Sequence, residues 1–472
     1  MIFTVAVVGL VDLLVAVDAI ALAAGVPLAA VLAAESAATL LSRYREESAT
    51  LGPGSEALEY SLHVVLKGAT IALFSAGLIG VAMLAVPIGW VRSVGAGIAA
   101  AALIAPLLAL KVMSASIGLR PEAQQGTALP LVAEGARPEA ASPLFSLLLA
   151  LGRGRARGLV ALVPILAVAA LALPLRDDAE AVGLNGYELP TDTAAAGASD
   201  ELAVAFGPGA GSPLTVLTDG PAEAPTVTIL RDEISRLEGV ASVGLGTSVG
   251  LLATFSVETA GSPGSLEAQA TVASVRGVAS PSPQQVGGGD AVLVDSADRL
   301  AGDLPLVALI ALLGTAALWS LLFRSAFGPL LALAAVIAPL AGLATLQAVF
   351  GVGRLTDLLD YAPVGGIHLE TYAVVGGVLL AVGLARGAQL ATALREERLL
   401  GGGVAGSLAR AGVLTAGPAG TATLLGVALA GVWLGSALLP AQEIGLGIAV
   451  GLLADLVVVR LLIAPALARL AI

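Results

Sequence analysis

Ten runs of about 20 apolar residues mark this chain, at roughly 2–24, 26–42, 67–88, 93–117, 158–175, 304–323, 327–350, 367–391, 411–435 and 444–467. A run of that length is what a helix needs to cross the hydrocarbon core of a bilayer, so each predicts a transmembrane helix. Glu35 and Ser36 interrupt the second run. Between 177 and 303 the pattern changes. Leu214–Thr218 reads as a strand ending in the turn Asp219-Gly220. Ile229, Leu230, Ile234 and Leu237 carry helical spacing. Val240–Leu245 and Leu252–Val257 read as strands, and 265–276 as a second helix opened by Ser265 and Glu267. A late strand is expected near Ala291–Val294. This order fits a small α+β sandwich.

The pattern predicts an α-helical polytopic membrane protein of about ten transmembrane helices in two repeats, with one exoplasmic α+β domain. The expected boundaries are a first membrane block at 1–117, a linker at 118–157, a transmembrane helix at 158–176, the α+β domain at 177–303 and a second membrane block at 304–472. The linker carries Arg120-Pro121-Glu122 and Gly152-Arg153-Gly154-Arg155, a flexible connector by composition.

The repeat shows in two helices with one signature. One reads Glu35-Ser36 and then Ser42-Arg43-Tyr44-Arg45-Glu46-Glu47; the other reads Ala385-Arg386 and then Ala393-Leu394-Arg395-Glu396-Glu397. Glu35 and Ala385 each stand twelve residues before the last Glu. A polar stretch, an Ala-rich amphipathic segment (Glu56–Leu66; Val404–Ala411) and two further apolar helices follow in both. Membrane repeats of this kind are a transporter habit, with the working site between the repeats near the bilayer midplane.

Composition agrees. The chain is 57% hydrophobic and 12% charged, against about 25% charged in soluble domains. The stretch 177–303 holds 18 acidic and 4 basic residues, a net −14; the whole chain is −12, so the remainder is +2. The arginines 43, 45, 120, 153, 155, 157, 324, 395, 398 and 410 fall in segments that alternate to one side, with Arg92 the exception. The positive-inside rule makes that side cytoplasmic and the acidic stretch exoplasmic, with both termini cytoplasmic and the plasma membrane as the location. With no cysteine and two histidines, thiol catalysis and metal sites are not expected. No cofactor is implied, and no basic patch suggests nucleic acid.

A charge at bilayer depth is costly and marks a functional site by default. Glu35 and Arg386 are the leading candidates. Asp12 and Asp18 lie six residues apart, about 120° round a helix, and so do not share a face. Asp455 and Arg460 read as packing or boundary residues with a relay role as the alternative. Ser75 divides between a relay and a hydrogen bond to its own helix. His63 and His368 read as interfacial or satisfied residues. The glycine-rich Phe206–Gly211 lacks the Lys-Ser/Thr of a phosphate loop and reads as a turn. No hydrolase constellation stands out in 177–303, so enzymatic activity is not expected.

These residues resemble the MMPL branch of the resistance–nodulation–division (RND) superfamily, exporters of lipids in mycobacteria and relatives. The resemblance rests on Ser42–Glu47, Glu188-Leu189-Pro190-Thr191-Asp192, Phe206-Gly207-Pro208-Gly209, Gly239–Val243, Val286-Gly287-Gly288 running into Asp295, Asp298 and Arg299, Leu322–Ser325 and Ala454–Arg460. It implies a porter domain at 177–303 and lipid export driven by protons. The family's Asp-Tyr pairs are replaced here by Glu35-Ser36 and Ala385-Arg386. Carried over position by position, Glu35 would face Arg386 and Ser36 would face Ala385, giving one ion pair and one nearly inert contact. The family's first helix, first porter domain and second helix have no counterpart in this sequence, and residues 2–24 are similar to its third helix. A second membrane chain supplying a helix–porter–helix unit is therefore an expected partner, beside a lipid or other hydrophobic substrate. The rival expectation is a non-transporting accessory or scaffold relative.

Overall fold

The computed structural model describes residues 19–122, 181–183, 193–280, 282–352, 365–401 and 404–471. The run 158–175, the linker from residue 123, and Asp12 and Asp18 lie outside these residues. The described part contains eight helices long and apolar enough to cross a membrane. The first block holds α1 (Ala19–Leu51), α2 (Ser55–Met83) and α3 (Gly89–Leu119).

Two expected breaks are absent. Gly25 and Pro27 do not separate two runs: α1 passes through both for 33 residues. Neighbouring helices can re-satisfy the carbonyl that a proline leaves without a donor in a buried helix. The amphipathic Glu56–Leu66 is likewise the first half of α2 rather than a separate element.

The soluble domain starts with β1 (Ala181–Val182), α4 (Ala194–Phe206) and a 3-10 turn at Pro208–Gly211. The glycine-rich segment is thus a turn, as expected. Then come β2 (Leu214–Asp219), α5 (Pro225–Ile234), β3 (Val240–Val243), β4 (Thr247–Val249), β5 (Leu252–Thr259), α6 (Leu266–Arg276) and β6 (Gln284–Gly287). The sheet order is β3-β5-β2-β6, with β4 on β5 and every pairing antiparallel. Strand–helix–strand–strand–helix–strand in this order is the split βαβ, or ferredoxin-like, arrangement. Alternate residues of β2 and β5 (Leu214, Val216, Phe255, Val257) face α5 and α6 and form the domain core with Val227, Leu230, Val272 and Val275. Thr193 and Ser265 cap α4 and α6 by accepting from the amides of Ala196 and Ala268.

The strand expected near Ala291–Val294 is a helix. Those residues open α7 (Gly289–Phe323), 35 residues long, or about 52 Å at 1.5 Å per residue. The helix leaves the domain and runs through the apolar stretch without a break. The preceding Gln284–Gly287 supplies the last strand instead. Gly288 (φ 119°) turns the chain between the two, a conformation open to glycine.

The second block continues with α8 (Phe327–Ala334) and α9 (Ile337–Leu346), whose span ends in a π-helical turn at Gln347–Gly351. β7 (Ile367–His368) pairs in parallel with β1 and leads into α10 (Leu369–Leu399). Then follow α11 (Val404–Leu434), α12 (Leu439–Ala454), a π-helix at Asp455–Ile463 and α13 (Ala464–Ala471). The two blocks cross: α1 packs on α11, and α10 packs on α2. That exchange is the packing signature of the repeat. α10 is the most enclosed of the candidate spans.

Glycines allow the closest approaches. A Cβ on Gly80 would stand 2.5 Å from Ala99 N and from Gly95 O. Gly80→Ala is therefore expected to cost about 1–3 kcal/mol by overpacking. A lowered melting temperature of the detergent-solubilised protein would show it. Gly118→Ala, where nothing lies within 4 Å of the added carbon, is expected to be neutral or to stabilise by up to about 1 kcal/mol through helix propensity.

Candidate functional site

Four charges meet where the blocks cross. Glu35 stands 16 residues from either end of α1, and its carboxylate is fully buried. Arg386, also buried, donates from Nε to Glu35 Oε2 at 3.0 Å and from Nη1 to Asp455 Oδ2 at 2.8 Å. Its Nη2 donates to Thr423 Oγ1 at 2.9 Å and to the Ala419 carbonyl at 3.1 Å. Arg460 donates from Nη1 to the Thr415 carbonyl at 2.7 Å and from Nη2 to the Arg386 carbonyl at 2.9 Å. The same Nη2 lies 3.6 Å from Glu35 Oε1. Two guanidinia and two carboxylates thus form a neutral quartet drawn from α1, α10 and the helix at 455–463, with α11 supplying oxygens.

Neutrality is the condition for burial. A lone ion in hydrocarbon costs several kcal/mol even after relaxation. Here each cation has an anion, and the planar guanidinium of Arg386 engages four acceptors at once, as its fork geometry permits. Glu35 Oε1 and Arg460 Nε are the exceptions: neither makes a hydrogen bond.

Local backbone explains the membership of Asp455 and Arg460. They are five residues apart, about 140° round an α-helix, and could not share its face. Residues 455–463 form a π-helix, in which hydrogen bonds run i to i+5 and the wider turn brings residues five apart toward one face. Both side chains then point into the quartet. Both are thus buried within the membrane block rather than at its boundary. Pro418 sits between Thr415 and Ala419 on α11, and both of their carbonyls turn to a guanidinium. Thr423 and these carbonyls were not legible as site residues, because a backbone oxygen leaves no mark in a sequence.

The other candidates fall elsewhere. Ser75 donates to the Ile71 carbonyl at 2.8 Å and accepts from Trp319 Nε1 at 3.0 Å; it ties α2 to α7 outside the quartet. Ala385 lies in the apolar core and brings no polar side-chain atom. Ser36 lines a cavity with Gln389, Thr392 and Glu396. His63 is exposed. His368 is buried at the start of α10, where its Nδ1 lies 2.9 Å from Glu443 Oε1 and its amide donates to Glu443 Oε2 at 3.1 Å. Thr371 also donates to Glu443 Oε2, at 2.9 Å. Glu443, on α12, was not singled out in the sequence. Among the described residues no group of three or more His, Cys, Asp or Glu could hold a metal ion.

A second cavity, of about 440 Å³, lies between the soluble domain and the membrane block. Trp90, Leu202, Pro208, Leu293 and Leu369 give it apolar walls, and Asp290 gives it a carboxylate.

Removing one cation from the quartet leaves an uncompensated buried charge. Arg386→Leu is expected to destabilise the protein by on the order of 3–5 kcal/mol. Adding Asp455→Leu restores neutrality, so the double variant should lose less than the sum of the single losses. Denaturation midpoints of the purified variants in one detergent would read both effects.

No family model matches the sequence. "Putative membrane protein SCO6666" of Streptomyces coelicolor is 29% identical over 449 residues, covering 92% of this chain and 60% of that protein. Among solved structures, SecDF in its super-membrane-facing form superposes with a TM-score of 0.60 at 13% identity, over 99% of this chain and 57% of that one. SecDF from Thermus thermophilus, a translocon-associated membrane protein, gives 0.59 at 15% identity with the same coverage. The chain thus spans about 60% or less of the length of these proteins. At such identity the likeness is one of fold: a polytopic membrane protein with a small α+β domain, built like SecDF over this length.

Proposed function

We propose that the protein is an RND-type exporter of the MMPL kind, moving a lipid or another hydrophobic substrate and driven by protons that bind at Glu35. The observation that carries this reading is the buried quartet at the crossing of the repeats. In the described structure Glu35 and Asp455 balance Arg386 and Arg460. A proton on Glu35 would leave two permanent cations facing one anion in an apolar setting. That state is costly, and a shift of one repeat against the other that separates the charges would relieve it. Protonation would thereby bias an equilibrium between two arrangements. The cavity beneath the domain suits an amphipathic substrate, since apolar side chains line it beside serines and the carboxylates Asp290 and Glu370. The exoplasmic placement of the domain rests on the arginine distribution.

A second reading follows from the completeness of the pairing. Arg386 spends its donors on four acceptors, and arginine does not give up its proton. Such a quartet also serves as a clasp in a non-transporting scaffold, or in one part of a split transporter whose other chain brings a helix–porter–helix unit. Native mass spectrometry of the gently extracted complex tests the split form. A second polytopic chain supports it, and the 46.3 kDa chain alone speaks against it.

Transport itself is read in proteoliposomes made with the host's own lipids under an imposed pH gradient, with lipid transfer to an acceptor followed by mass spectrometry. Glu35→Gln and a protonophore are each expected to reduce gradient-dependent transfer to background. Transfer indifferent to both rejects the proton-coupled exporter.

A further inference from the structure

We infer that water approaches the buried charges from one side only, through a narrow shaft that carries a stripe of polar side chains in otherwise apolar walls and opens on the face opposite the soluble domain, while an apolar seam shuts the way to the domain face. The use of the shaft as a proton route rests on the exporter reading above; its existence does not.

The shaft is a cavity of about 70 Å³ enclosed by α1, α2, α10 and α11. At about 10–15 Å³ of such volume per molecule, it holds roughly five waters. Most of its wall is apolar, from residues such as Val64, Val65 and Leu414; its polar groups come from both repeats, with Ser36, Thr39 and Ser42 on α1 and Gln389, Thr392 and Glu396 on α10. Thr39 and Ser42 follow Glu35 at i+4 and i+7, and Gln389 and Glu396 follow Arg386 at i+3 and i+10. These spacings hold one helix face, so each buried charge heads a polar stripe that descends to the Arg-Glu-Glu end of its helix. Thr39 and Thr392 donate to the carbonyls of Glu35 and Ala388, which leaves their lone pairs free to accept from water. Thr415 also lines the shaft, and its carbonyl receives Arg460; one residue thus separates the shaft from the quartet. Glu35 Oε1, lacking a hydrogen-bond donor, sits one residue from Ser36.

Toward the domain the picture reverses. Every residue from Ala373 to Ala385 on α10, and from Ile444 to Ala454 on α12, is apolar. That is about 18 Å of helix without a polar side chain. Glycines let the seam close tightly. A Cβ on Gly342 would stand 2.7 Å from the Gly447 carbonyl, one on Gly447 3.0 Å from Val375 and Leu346, and one on Gly377 2.7 Å from Ile98. A dry layer of this kind leaves water no hydrogen-bonding partners.

The absence of cysteine from the sequence makes the test direct. Single variants Ser42→Cys, Thr392→Cys and Ser36→Cys probe the shaft, and Ala381→Cys probes the seam. Each is exposed to a small, charged, membrane-impermeant thiol reagent, applied to one membrane face at a time. The shaft positions are expected to react from the face opposite the domain, faster than Ala381→Cys by about tenfold or more, since only a thiol reached by solvent ionises and reacts. Shaft cysteines that react no faster than Ala381→Cys, in protein that elutes as a single folded species, overturn the inference. Reaction from the domain face overturns its sidedness. Shaft labelling combined with export indifferent to Glu35→Gln upholds the shaft and sinks only the exporter reading.

Discussion

Four full charges at mid-membrane can be buried only as a balanced set, and the arrangement of the membrane block follows from that constraint. Glu35, Arg386, Asp455 and Arg460 reach one another from three helices that are far apart in sequence. Each pair fixes the depth and rotation of two helices at once. A slip of α1 along α10 by one turn would strand a carboxylate and a guanidinium in hydrocarbon, a loss of several kcal/mol for each ion. Apolar packing tolerates such slips far better, because one leucine contact resembles another. The quartet sets the register of the repeats; the apolar surface fills in around it.

The crossed packing of the blocks makes this possible. α1 leans on α11 of the second repeat and α10 leans on α2 of the first, so Glu35 of the first block reaches the cations of the second. Small residues carry the approach. Gly80 and Gly97 let backbones nearly touch, and Gly377 and Gly447 make room for side chains of the facing helix, which is how helices gain contact in a solvent as apolar as their own side chains.

The soluble domain is joined to this core through stiff elements. α7 runs from the last strand of the domain into the membrane as one helix. β1, next to the domain, pairs with β7 at the head of α10, the helix that carries Arg386. The His368–Glu443 contact then binds that head to α12, which continues into the π-helix of Asp455 and Arg460. A displacement of α10 or α12 would therefore be felt at the domain, and a load on the domain would be felt at the quartet.

The sequence by itself determined the architecture: the apolar runs, the change of period between 177 and 303, and the twinned Arg-Glu-Glu ends of α1 and α10. Hydrophobic length and periodicity are local properties and can be read from the chain. It also named Glu35 and Arg386, since a charge inside an apolar run is conspicuous wherever it stands. Only the tertiary structure decided the rest. Asp455 and Arg460 join the site because a π-helix brings toward one face residues that an α-helix would splay apart, and a single sequence does not reveal that change of pitch. Thr423 and the carbonyls of Thr415 and Ala419 join because α11 comes to lie against α10. Glu443 finds His368 across 75 positions. Ser75 makes the hydrogen bond to its own helix that was one of its two expected roles, and only the fold adds Trp319 as a second partner. Each of these outcomes depends on which helix faces which, and facing is settled by the packing of the whole block rather than by any segment within it.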